Sequence, residues 1–424
     1  MLTVIRNSWA LLFGIMLLML GNGMQGTLLG VRGAIEGFST GAMSIIMASY
    51  FAGFLLGSQM VPDMIRRVGH VRVFAFLGSL ASAGLILYPL LTNPIAWTGL
   101  RLLLGFCFCG VYIVSESWLN NSTTNETRGR ALALYMIAQM VGIVAAQALF
   151  AWGDASEYTL FIIVSVLVSL AFAPILLAAT PVPPFESAKP MSFSKLYSVS
   201  PLGFIGIFLM GAVFSALFGM AGVYGAAAGL TTGQIALFVS AIYTGGMLLQ
   251  YPIGWLSDRA DRRKLVIAGA VIGVLACGLG ISGLGGVNGA LVSAFLIGGM
   301  ANPLYGILLA YTNDYLEYED MSAASGRLLF VNGLGAVGGP LITGWLMGVA
   351  GPAGFFIFVG VLMLVLAVYA GWRMTQRGAQ PIGDDTNYVV MSPMATTPVT
   401  IESVVEEWED QAPEVGTDTM TVNP

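Results

Sequence analysis

The chain has 424 residues, of which 57% are hydrophobic and only 9% charged, with a mean hydropathy of +0.83. A water-soluble domain carries about 25% charged residues, so this composition excludes one and makes lipid the main solvent. Net charge is −5, but nine of the acids and no base lie from Gly378 onward; residues 1 to 377 carry 17 bases against 13 acids, a mildly basic membrane body with no basic domain to meet nucleic acid.

A hydrocarbon layer about 30 Å thick is crossed by roughly 20 apolar residues in a helix. Twelve such stretches follow along the chain, over 8–30, 41–61, 73–91, 95–118, 131–153, 158–179, 201–224, 233–256, 265–284, 290–312, 328–349 and 353–373. Only Thr92, Asn93 and Pro94 separate the third from the fourth, and the Asn-Pro pair predicts the break. The apolar run of the first stretch is too long for a cleaved signal, and no small-residue cleavage site follows it. The prediction is an all-α polytopic membrane protein of twelve transmembrane helices. With both termini in the cytoplasm, 15 of the 17 Lys and Arg residues fall on that side, and only Arg32 and Arg101 do not.

Residues 180–200 hold four prolines and two lysines, and predict a cytoplasmic linker between six-helix bundles at 1–179 and 201–373. The acidic, Pro- and Thr-rich residues of the tail, 374–424, predict cytoplasmic disorder, with a short helix over 400–410. The two bundles repeat. GFSTGAMS at 37–44 matches GLTTGQIA at an offset of 192, which also sets Gly53 on Gly245 and Arg67 on Arg259. Paired bundles around a central cavity suit alternating access.

Within the first stretch, Asn22 and Gln25 lie in GNGMQG; the fifth offers Gln139 and Gln147, the seventh Tyr224, and the eighth Tyr243 and Gln250. Asn302 and Tyr305 follow in the tenth and Asn332 in the eleventh. Each is a solute contact or a helix–helix hydrogen bond, and as a set with Arg101 they describe a cavity of amides, phenols and one guanidinium without an acid. Such a cavity fits a neutral, aromatic or anionic solute better than a cation. Arg101 costs at least ~2.5–3.5 kcal/mol to insert, so it must face a cavity or a partner, as a solute or proton contact or as a structural hub.

The loop GWLSDRADRRKLV at 254–266 carries Gly254, Leu256, Asp258, Arg259, Arg262 and Arg263 in a pattern that resembles the inter-helix signature of the major facilitator superfamily, with Asp261 where a glycine is usual. Its first-half counterpart keeps Arg67, Gly69 and Arg72 but has Pro62 and Arg66 in place of the signature's glycine and aspartate. The resemblance implies a gate built mainly by the second half. Arg101 and Gly105 resemble the family's R-x-x-x-G pattern, and ESWLNNSTTNETRGRALALY is similar to the YcaD-type permeases of that family. Glu116 and Asp314 end matching helices ahead of Arg130 and Arg327, as gate salt bridges or proton carriers. GLGAVGGPLITG at 333–344 fits the family's G-x-x-x-G-P pattern, which its proton-driven antiporters carry on the fifth helix; here the fifth has Gly142, Ala146 and Gln147 and no proline.

Catalytic and metal sites are not expected: His70 is the only histidine and Cys107, Cys109 and Cys277 lie in apolar runs. No lysine follows a glycine, so no phosphate loop for ATP exists and no cofactor is expected. The prediction is a monomeric permease of the inner (plasma) membrane that moves a small organic solute by alternating access. Proton-coupled efflux of drug- or metabolite-like compounds is the first reading; uptake of a nutrient or vitamin, or uniport, is the alternative. Lipid, solute and protons are its expected partners.

Overall fold

The computed structural model describes residues 2–121, 125–178, 191–376, 378, 397 and 399. The 400–410 helix and nearly all of the tail beyond 378, predicted to be disordered, lie outside the described residues, as does the whole 180–190 stretch of the linker.

Among the described residues every element is helical, as the all-α prediction expects. In chain order the helices are α1 Leu2–Ile35, α2 Thr40–Val68, α3 His70–Leu87, α4 Pro94–Asn121, α5 Asn125–Trp152, α6 Thr159–Ala178, α7 Phe193–Val199, α8 Pro201–Ser215, α9 Ala221–Ala227, α10 Thr232–Ser257, α11 Arg262–Ser282, α12 Gly286–Asn313, α13 Tyr318–Ala350 and α14 Ala353–Gln376. A π-helical turn, Ala216–Met220, joins α8 to α9, and the three together cross as one span. Among the described residues twelve spans are therefore long and apolar enough to cross a membrane, matching the twelve predicted stretches.

Local chemistry sets the ends. Pro94 opens α4, and the Asn93 side chain accepts from the Ile95 N–H at 2.8 Å, satisfying one amide that the helix start leaves open. Ser39 caps α2 and Thr231 caps α10, each after a glycine two residues earlier, Gly37 and Gly229, with φ of +76° and +71°. The sequence repeat is thus a repeat of backbone geometry, and it extends into the packing. A Cβ on Gly53 would collide with the Leu102 carbonyl, and one on Gly105 with the Tyr50 carbonyl. Their counterparts Gly245 and Gly298 lie against the carbonyls of Phe295 and Ile242. The pairs α2/α4 and α10/α12 therefore touch backbone to backbone, as small residues permit in a bilayer.

One end of the bundle carries the basic loops between α2 and α3 and between α10 and α11. At the opposite end the two halves meet through glycine. A Cβ on Gly30 would fall 2.7 Å from the Gly222 carbonyl carbon, and one on Gly222 would fall 3.0 Å from Thr27 Cα. Gly344 of α13 presses likewise on Ser44 of α2. Across the middle, α1 packs on α9, α2 on α13 and α5 on α10.

The linker is more ordered at its end than its prolines suggest. Ser192 caps the short α7, Lys195 pairs with Asp320 at 2.8 Å, and the Arg327 guanidinium donates to the Met191 carbonyl at 2.7 Å while lying over the Phe193 ring. The Lys195 pair is exposed and contributes at most about 1 kcal/mol. Its role is to tie the linker's end to α13.

Candidate functional site

A cavity lies at the middle of the bundle, where α1, α2, α4 and α5 of one half face the π-helical turn and α10 of the other. Asn22, Tyr50, Arg101, Tyr112 and Gln139 form the polar wall on the first half; Phe218 and Tyr243 close it from the second. The π-helical turn sets Phe218 there, an extra residue in the helix that re-aims the side chains beyond it.

The polar groups are held in part and left open in part. Asn22 donates through Nδ2 to the Tyr112 hydroxyl at 2.7 Å and to the Tyr50 hydroxyl at 3.1 Å. The Arg101 guanidinium donates to Gln25 Oε1 and lies 4.5 Å from the centroid of the Tyr50 ring. An amide oxygen and a ring face are weak counterions for a cation 95% buried. No acid lines the cavity. Arg101 Nε, Gln25 Nε2 and both ends of the Gln139 amide are buried without a hydrogen-bond partner among the described residues. Buried polar groups normally find one, and each left open costs about 1–3 kcal/mol. Of these residues Arg101 and Gln139 line the cavity, whereas Gln25 reaches it only through its bond to Arg101.

Of the predicted pocket residues, the structure brings Asn22, Arg101, Gln139 and Tyr243 together here, with Gln25 bonded to Arg101. The others sit elsewhere. Gln147 donates to the Gly23 carbonyl and accepts from the Thr27 hydroxyl, both at 2.9 Å, tying α5 to α1. Tyr224 packs among Phe238, Phe355 and Phe356. Asn302 presses on Gly246 and Tyr305 meets the Phe214 ring edge-on, both deep in the second half, and Gln250 is buried in α10. Asn332 lines a second cavity, between α2, α8 and α13. Tyr50, Phe51, Tyr112 and Phe218 were missed from sequence, although the tyrosines are mid-span aromatics of the kind that singled out Tyr243.

At the basic end, Arg262 is 92% buried and bonds Asp314 at the end of α12; Asp258, the C-cap of α10, lies 3.8 Å from it. Asp261 caps α11 and pairs with Arg263 at 2.8 Å, and that hydrogen bond holds its carboxyl below the usual carboxylate range. Arg259 lies over the Trp255 ring, one turn past the buried Gly254. In the first half, Arg67, Arg72 and Arg130 are exposed, and Gly69 makes the turn between α2 and α3 with φ of +85°. Glu116 accepts from the Tyr135 hydroxyl at 2.9 Å and from the Thr397 hydroxyl.

The sequence profile of the Major Facilitator Superfamily matches residues 11–248 and 203–387. The chain is 27% identical over 350 residues to an uncharacterized MFS-type transporter of Enterobacter sp. (strain 638), covering 82% of this chain and 90% of the relative. The same identity holds over 349 residues with the uncharacterized MFS-type transporter YcaD of Escherichia coli O6:K15:H31 (strain 536 / UPEC), with the same coverage. Among solved structures, a mutant of the nucleoside transporter NupG superposes with a TM-score of 0.76 at 14% identity, over 86% of this chain and 99% of that one. A D-xylose–proton symporter superposes with a TM-score of 0.66 at 15% identity, over 92% and 98%.

Proposed function

We infer the function from one premise: the chain belongs to the major facilitator superfamily. It is a multi-pass membrane protein of a family of solute transporters, and its relatives and structural neighbours are transporters, not enzymes. We propose that a small neutral or anionic aromatic solute binds in the central cavity. The observation that carries this reading is the pair of open donors on Arg101 and Gln139 between aromatic rings contributed by both halves. A site shared by two halves is exposed to each side in turn when the halves rock.

In this reading residues 1–179 and 201–373 are the rocking bundles, 180–200 the cytoplasmic linker and 374–424 the cytoplasmic tail. The protein acts as a monomer in the inner membrane with the basic end in the cytoplasm. The Gly30–Gly222 contact is then the outer seal, and Arg262 with Asp258 and Asp314 the inner gate. Proton-coupled efflux would use Glu116, whose partner Tyr135 stands one turn of α5 from Gln139 in the cavity wall. Facilitated diffusion is the second reading, favoured by a cavity wall that holds a guanidinium but no carboxylate.

The test is flux into proteoliposomes with and without a pH gradient, using solutes chosen by thermal stabilisation of the purified protein. Saturable flux lost in Arg101→Gln supports the reading, and flux that never saturates overturns it. A response to the pH gradient that vanishes in Glu116→Gln selects proton coupling; no response in the wild type selects facilitated diffusion.

A further inference from the structure

A second cavity lies between α2, α8 and α13. Phe51 lines both cavities, so its ring is the partition between them. Along α2 the second cavity runs from Phe51 to Ser58, seven residues or about 10 Å toward the basic end. On α13 it reaches Leu329, about three turns in from that helix's basic-end start.

Its chemistry differs from that of the central cavity. Three phenyl rings, Phe51, Phe54 and Phe214, face it, and it has no charged group. Of its two polar side chains, Ser58 already donates to the Leu55 carbonyl of its own helix at 2.8 Å. Asn332 is 94% buried, and its Oδ1 has no hydrogen-bond partner among the described residues. The amide lies against α8. A Cβ on Gly211 would fall 2.9 Å from Asn332 Oδ1 and would collide with the Asn332 backbone carbonyl, so α8 supports it from behind. An open acceptor among aromatic rings selects a flat apolar molecule with one donor, because a ligand that fills the space without that donor leaves the oxygen open.

We propose that this second cavity is a separate binding station for a neutral aromatic solute bearing one N–H or O–H donor, partitioned from the central cavity by Phe51 and read by Asn332. Its meaning as a stop on a transport route rests on the central-cavity reading, but its occupancy does not.

Indole and 1-methylindole, the same ring with and without the donor, are the probes. Leu55 lines the cavity and is half-buried, so Leu55→Cys, in a background with Cys107, Cys109 and Cys277 replaced by serine, is reacted with a small methanethiosulfonate. Indole should slow the reaction at a concentration about tenfold lower than 1-methylindole needs, and Asn332→Leu should erase that difference. Equal protection by the two probes, or protection by neither, overturns the proposal. If the thiol proves unreactive without probe, 5-bromoindole soaked into crystals gives the second readout: anomalous bromine density beside Asn332 supports the station, and its absence there overturns it. Failure of the transport reading is read separately, from flux in Arg101→Gln, which leaves this cavity intact.

Discussion

The guanidinium of Arg101 lies over the ring of Tyr50, 4.5 Å from its centroid, and no carboxylate lines the cavity they share. A cation without a counterion inside a bilayer is costly, so the ring and the Gln25 carbonyl are what make the charge tolerable until a solute arrives. Arg101→Gln removes the charge and with it the desolvation cost, so the variant should fold at least as stably yet lose flux. Arg101→Lys should also lose flux, because an ammonium cannot reproduce the planar fork. Wild-type flux in either variant would remove Arg101 from the site.

Tyr50→Leu removes both the ring under the guanidinium and the hydroxyl that Asn22 reaches. A desolvated cation–π contact is worth about 2 kcal/mol, so solute affinity should fall by about tenfold or more. Tyr50→Phe keeps the ring, and Asn22 retains Tyr112, so its affinity should stay within about threefold. Equilibrium binding on the purified variants separates the two; equal losses would show that the hydroxyl, not the ring, matters.

At the basic end, Arg262 reaches acids on two elements, Asp258 and Asp314. Asp314→Asn takes the hydrogen-bonded partner of a buried cation and should lower stability by about 1–3 kcal/mol. Asp258→Asn removes the more distant charge and should leave solute affinity unchanged while slowing flux, since a gate acts on interconversion. Equal loss of binding and flux in Asp258→Asn would refute the gate role.

Asp261 gives the stability a pH dependence with a fixed sign. Its carboxyl is held low in the folded state, chiefly by the Arg263 hydrogen bond, so its contribution is complete above the ordinary carboxylate pKa of about 3.9 and is lost as pH falls through the lower, folded value. The melting-temperature difference between wild type and Asp261→Asn should be constant from neutral pH down to about pH 5 and should shrink below pH 4. A difference that grew on acidification would contradict the assignment.

Gly222→Val introduces branched carbons where the backbone of α9 meets Thr27 and Gly30 of α1. The halves should then be unable to close at that end. We expect a folded protein with flux reduced by at least about tenfold, and increased reactivity of an Asn22→Cys thiol toward reagents added from that side. Unchanged reactivity would show that the glycine contact is not a seal.

Much of the architecture was legible because it is written in short range. Span length, the Asn93-Pro94 break, and the caps Ser39 and Thr231 depend on a few neighbouring residues. The site was only partly legible. A helix apolar on every side gives no periodic signal of which face turns inward, so Gln147 and Gln139, two turns apart on α5, look alike in sequence. One is spent on α1 while the other lines the cavity with its amide open. The π-helical turn at 216–220 has no sequence mark of its own, and so Phe218 was missed.

The interlocked glycines have a mechanical consequence. Gly53 with Gly105, and Gly245 with Gly298, seat each helix of a pair against the other's peptide carbonyl, leaving no side-chain cushion to shear. The pairs α2/α4 and α10/α12 must then swing as stiff struts, and bending strain during a cycle has to collect in elements free of such locks. The π-helical turn before α9 is the one loosened ring in an otherwise regular span, which makes it the natural flexure of the machine.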